Sequence, residues 1–307
     1  MGTRSSLLFG MLLFLSSCAT APPNQFVKFN PDSQSRINQI AHIGIIADVC
    51  LFKDVAGDND YWVVQESRSA AGHMLQAAKA YLVGKGYDVS YVQAPFVGAF
   101  KDREKPFKVC EKNGGEVKEK TPPLFESEDL KHNRPFREAL LKVIPKIPGS
   151  QSRQPSLPDT CCTTADMKDH ISVIAESTGG DATLFLIGHG TIVSTGKQLT
   201  QGLATGLLTA VLTLGTASVV RYDASVMDTY AVLVDNTTGE ILWSNVRRLK
   251  GDGFTDEAYY NVEKWPKTIL QYMPEKAVRK ESDEAEPTNN ENPSHVKDTE
   301  VTNPTGN

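Results

Sequence analysis

The chain has 307 residues, 40% of them hydrophobic, enough for one sizeable core with attachments or for two small ones. Its formal net charge of −5 is mild, and no cluster of Lys and Arg supplies the cations that phosphate neutralisation demands, which argues against nucleic acid as a partner. Most of the net charge is local: 274–307 holds Glu275, Glu281, Asp283, Glu284, Glu286, Glu291, Asp298 and Glu300 against Lys276, Arg279, Lys280 and Lys297, with few apolar residues, and reads as a disordered acidic tail.

Residues 1–17 carry one cation, Arg4, then the apolar run Leu7 to Leu15, the layout of an export signal. Leu15, Ser16, Ser17 and Cys18 resemble a bacterial lipobox, which implies cleavage before Cys18 and diacylglycerol on its thiol. Such a chain is anchored to a membrane rather than spanning it. Ala19 stands where an inner-membrane retention signal has Asp, so the resemblance implies the outer membrane, facing the periplasm. The plain alternative is an ordinary signal peptide with an incidental cysteine.

A polar tether, 18–40, leads into the single domain expected over 41–273. Ile43, Ile45, Ala47 and Val49 fall on one alternation set and Ile46 on the other, as in a strand buried on both faces. Val64, Ala71, Leu75, Ala78 and Leu82 keep helical spacing until Gly84 and Gly86 stop it, and Tyr87 to Val92 reads as a second strand. A crossover of that length predicts parallel pairing of the two strands. The proline-rich stretch 95–160 reads as an insertion with one short helix, Pro135 to Ile144, capped by Asn133 or Arg134.

A helix follows Thr163 or Thr164 and carries Met167, Ile171, Ile174 and Ala175 on one face. The third strand starts after Asp181. Between it and the next lies 198–220, free of charge and with Gly202 and Gly206 in a GxxxG pattern, which reads as an apolar helical insertion. It can pack on its own domain, lie in a membrane surface or an oligomer contact, or span a bilayer. A single span is at odds with the flanking strands sharing one sheet.

From Val226 the chain spells a hairpin: a strand to Val234, turn formers Asn236, Thr237 and Thr238, Gly239 for a positive φ, and a returning strand with Ile241, Leu242, Trp243 and Val246. A last helix is expected over Asp256 to Met273, with Pro266 restarting or bending it. The element order β-α-β-(insert)-α-β-β-β-α predicts an α/β (α+β) fold with one mixed sheet packed by helices.

Chemistry is hard to find. No G-x-S-x-G elbow, H-E-x-x-H, phosphate-binding loop or dinucleotide fingerprint is present, so neither catalytic residues nor a cofactor are expected. Cys50, Cys110, Cys161 and Cys162 can form one or two disulfides outside the cytoplasm. A metal site from Cys161, Cys162 and His170 is disfavoured by the adjacent thiols. His189 shares an alternation face with Phe185 and Ile187 and reads as structural rather than as a general base.

Asp181, Ala182 and Leu184, and then Asp235, Thr238, Gly239, Glu240, Leu242, Trp243 and Ser244, resemble the small α/β domain of the curli-secretion lipoprotein and penicillin-binding-protein activator lipoprotein group. The resemblance implies non-enzymatic work at the outer membrane, either binding a periplasmic partner or building an oligomeric pore. Gly239 and Trp243 enter as structural residues of the hairpin, Cys18 as the membrane attachment.

Overall fold

The computed structural model describes residues 27–29, 33–55, 60–93, 97–98, 106–125, 128–147, 165–194, 225–251, 260 and 264–276, all within one compact unit, Met1–Ala277. Its elements are β1 (Val27–Phe29), α1 (Ser33–Gln39), β2 (His42–Asp54), β3 (Tyr61–Val63), α2 (Val64–Gly84), β4 (Asp88–Val92), β5 (Phe107–Cys110), β6 (Val117–Lys120), α3 (Glu128–His132), α4 (Arg134–Val143), α5 (Ala165–Thr178), β7 (Ala182–Val193), β8 (Val226–Asp235), β9 (Ile241–Lys250) and α6 (Trp265–Ile269). The fold is α/β.

Among the described residues the strands form one nine-stranded mixed sheet, in the order β1-β9-β8-β7-β2-β3-β5-β6. β4 lies beside β2 on the same edge as β3, parallel to its first residues. The centre is the parallel pair β2–β7, in unbroken register from Ile43 against Ala182 to Asp54 against Val193. β8 and β9 add to β7 as an antiparallel hairpin. Each central strand is apolar on both alternation sets because helices cover both faces.

One face buries Ile43, Ile45, Val49, Leu184, Leu186 and Leu233 under Ala71, Met74, Leu75 and Ala78 of α2 and Trp265 and Ile269 of α6. The other buries Ile46, Phe185, Ile187, Val232 and Val246 under Phe136 and Leu140 of α4 and Met167, Ile171 and Ile174 of α5. The small side chains at Ala70, Ala71, Ala77 and Ala78 let α2 lie close on its face.

The segment expected to be an insertion contributes strongly to the second face. Its helix α4 starts where Pro135 fits the first turn, and Asn133 Oδ1 accepts from the Phe136 N–H at 3.2 Å. The same segment supplies β5 and β6, which continue the sheet beyond β3. At the chain's other end the helical backbone around 265 is short: Trp265 and Pro266 open α6, and residues 252–259 and 261–263 lie outside the described residues. The first residues of the segment read as tail are docked: the Tyr87 hydroxyl donates to the Pro274 carbonyl at 2.8 Å, and Lys85 pairs with Glu275 at 2.6 Å. Residues 277–307 and the apolar stretch 198–220 lie outside the described residues, as does Cys18. No helix among the described residues is long and apolar enough to cross a membrane.

Candidate functional site

The hairpin motif builds a structural knot at the N-terminal end of β7. Gly239 has φ +74°, and a Cβ there would also meet the backbone of Lys168 at 3.3 Å, so a turn conformation and a close helix approach both call for glycine. Asp235 accepts from the Thr237 N–H at 2.7 Å and the Thr238 N–H at 3.1 Å, and its carboxylate pairs with the Arg36 guanidinium of α1. Burial pushes the Asp235 carboxyl up, but the hydrogen bonds from Arg36, Thr237 and Thr238 override it and hold the group below the usual aspartate range. Asp181 accepts from the N–H groups of Ala41 at 2.8 Å and His42 at 3.0 Å. Asn236 accepts from the Thr183 hydroxyl and donates to the Gly180 carbonyl, both at 2.8 Å. These polar residues satisfy backbone groups and one another; they hold α1, β2, β7 and the hairpin together.

At the opposite end of the sheet, strand register does what no local motif could. Cys50 stands opposite His189, His189 opposite Asp228, and Asp228 opposite Arg248, on four successive strands. Asp228 takes a two-pronged ion pair from Arg248, with Nε at 2.7 Å and Nη2 at 2.8 Å. The His189 ring meets the edge of Phe52 with centroids 6.1 Å apart, and Phe52 leads into Trp62 and Phe107, stacked at 5.0 Å. Tyr230, two residues along from Asp228, has a buried hydroxyl without a hydrogen-bond partner. Burial first, and then the Asp228 carboxylate, push its phenol up to about 12. Asp48, on the same face of β2, is fully buried and accepts from the Gly98 N–H at 3.0 Å.

The cysteines divide. Cys50 and Cys110 are both buried thiols. A bridge between them is ruled out by the sheet: Cys50 shares the face of Ile46, whereas Cys110 pairs with Val63, which belongs to the opposite face, and β3 stands between their strands. A disulfide needs Cα atoms within about 7 Å and converging Cβ vectors. The Cys110 thiol instead contacts the Lys112 carbonyl at 3.0 Å. Cys161 and Cys162 lie outside the described residues. Among the described residues no cluster of three or more His, Cys, Asp or Glu is placed to hold a metal ion.

Among the described residues, one concave feature with the form of a binding site is a cleft of about 770 Å³ between the start of α2, the β5–β6 hairpin, the segment after β6 and α3. Its apolar wall is Val64, Pro123, Leu124 and Phe125; its polar lining is Gln65, Arg68, Glu111, Lys112, Lys120 and Lys131. The Gln65 side chain accepts from the Asn113 N–H at 3.0 Å, fixing the hairpin turn to α2. Arg137 lies over the Phe125 ring, 5.4 Å from its centroid. Glu111 pairs with Lys120, and that hydrogen bond first, then the charges of Lys120, Lys118 and Lys112, hold its carboxyl below the usual range. The volume lies in the range of small-ligand sites, roughly 300–1,000 Å³. Sequence reading passed over this cleft because its parts come from four places in the chain and none is a motif; the only local signal is the repeated Lys in 108–120.

No family model matches the chain, and no curated protein does. Among solved structures it is similar to the crystal structure of Lipoprotein GNA1162 from Neisseria meningitidis, at 12% identity and a TM-score of 0.25, over 69% of this chain and 83% of that one. That score falls short of a shared fold.

Proposed function

We propose that the protein is a lipid-anchored bacterial envelope lipoprotein, attached through Cys18 to the outer membrane and facing the periplasm, that works as a non-enzymatic binding component. The observation that carries the binding role is the cleft at the start of α2: a concave site with an apolar wall and a charged rim, assembled on a rigid sheet edge. The anchor rests on the lipobox-like residues Leu15 to Cys18. The resemblance of the Asp235 to Ser244 turn to envelope lipoproteins supports the same reading.

The test places a photo-crosslinking residue at Gln65 or Lys112 in the cleft, and at exposed Lys79 on α2 as a control, in the lipidated protein in cells. A discrete adduct from the cleft positions alone supports the reading; no adduct, or the same adducts from Lys79, overturns it. Replacing Cys18 by Ser removes the acyl chains and releases the protein from the membrane fraction. A variant that still pelleted after a carbonate wash would be anchored elsewhere, with 198–220 the first suspect.

A second reading, an oligomeric pore subunit, draws on that uncharged stretch, since contiguous apolar area of such length is rarely left in water. Mass measurement of the protein purified in mild detergent separates the two: a ring of many copies favours the pore.

A further inference from the structure

The binding reading leaves open what the cleft holds, and its two walls have different chemistry. Along one side, Val64, Leu124 and Phe125 offer apolar surface; along the other, Lys112 and Lys120 come from the β5–β6 hairpin, with Arg68 entering from α2. Among the described residues of the lining there are four cations and one carboxylate, Glu111, which Lys120 already engages. The hydrogen bond from Lys120 first, and then the charges of Lys120, Lys118 and Lys112, hold the Glu111 carboxyl below its usual range. An anion entering the cleft meets the lysines of a braced hairpin whose turn is fixed to α2 through Gln65 and Asn113. Little ordering cost then falls on the protein. A bare anion would leave the apolar wall uncovered, and a purely apolar group would make no use of the lysines on the other side.

We infer that the cleft takes a short acidic peptide segment carrying an apolar side chain, its carboxylates toward Lys112 and Lys120 and its apolar group against Leu124 and Phe125. The inference rests on the cleft being the binding site proposed above. The volume of about 770 Å³ suits a segment of a few residues rather than a whole domain surface. Specificity then divides between the walls: charge sets entry and orientation, and apolar contact retains the segment.

The test is calorimetric titration of the detergent-purified full chain with the blocked tetrapeptide Asp-Leu-Phe-Glu, and in parallel with its amide counterpart Asn-Leu-Phe-Gln and with inorganic phosphate. The acidic peptide is expected to bind saturably at one site, with the amide peptide at least about fivefold weaker. Lys112→Gln is expected to weaken the acidic peptide by about fivefold and Lys112→Gln with Lys120→Gln by roughly twentyfold, the scale of one and two ion pairs. Lys79→Gln is expected to change nothing, and thermal melts check that each variant is folded. Leu124→Ala, which keeps the charge, is expected to weaken the acidic peptide while leaving phosphate unaffected. Equal binding of the two peptides, full displacement of the acidic peptide by millimolar phosphate, indifference to the lysine substitutions, or no saturable binding of either peptide overturns the inference. If cleft crosslinks persist in cells while the acidic peptide fails, the binding role stands and the ligand class falls.

Discussion

Truncating Trp243 to Ala tests how the hairpin and the last helix are joined. Trp243 is fully buried, and its indole N–H donates to the Tyr272 carbonyl at 3.1 Å. Two residues along β9, the Asn245 side chain donates to the Ile269 carbonyl at 2.7 Å, so one strand face satisfies a carbonyl at the end of α6 and another in the turn that follows it. The ring also packs in the core that contains Trp265, Leu270 and Met273. A buried tryptophan removes on the order of 200 Å² from water, about 5 kcal/mol at 25 cal/mol per Å², and its alanine substitute retains a small part of that. Losing the hydrogen bond adds about 1 kcal/mol, and partial collapse of the cavity returns some of the cost. The expected loss is therefore about 4–5 kcal/mol, a large share of the roughly 5–15 kcal/mol that holds a typical domain together. Urea unfolding followed by far-UV circular dichroism measures it without relying on the fluorescence that the substitution removes. Trp243→Phe, which keeps a ring but no donor, is expected to cost roughly half as much. A loss below about 1.5 kcal/mol for Trp243→Ala would refute the claim that α6 is clamped onto β9 through this side chain.

Acid is expected to loosen the hairpin end. Because the folded Asp235 carboxyl lies below its unfolded value of about 4, its contribution is fully present above that pH and is lost as pH falls through the folded value; Asp235→Asn should flatten the acid limb of a stability–pH curve. Gly239→Val opposes the +74° φ and crowds Lys168, so the melting temperature should fall by several degrees, whereas Gly251→Ala, at φ +92° but with open space around it, should cost less. Replacing Arg248 by Met leaves the Asp228 carboxylate half of a broken pair and should destabilise by about 1–3 kcal/mol, read by the same urea titration; no change would show that solvent already serves Asp228.

The parts of this fold that sequence makes readable are those where a side chain answers a local demand. Asn236 to Gly239 announce the turn, and the apolar residues of β2, β7 and β8 announce burial on both faces. The Asn133 cap with Pro135 announces α4. What escaped reading depends on neighbours distant in the chain. β3 is three residues long, and β6 reads Val117, Lys118, Glu119 and Lys120, with a mostly polar exposure that carries no strand period. Proline and charge made 95–160 look like an appendage, although Leu130, Phe136, Leu140 and Ile144 complete a core face. The link between Cys50 and His189 could not be read at all, because it exists only through the parallel register of β2 on β7.

That parallel register also dictates the order in which the chain can fold. Ala41 and Asp181, hydrogen-bonded at the foot of the pair, are 140 residues apart in sequence, and β2 finds its main neighbour only when that whole span has been delivered. Closing so long a loop costs entropy before any contact repays it, which places such topologies on the slow side of folding, on the order of milliseconds to seconds. Until then β2 is a thirteen-residue, largely apolar strand without its central partner. During synthesis the chain therefore passes through an interval in which its stickiest segment is open to other chains. A truncated product ending before β7 should aggregate or be degraded.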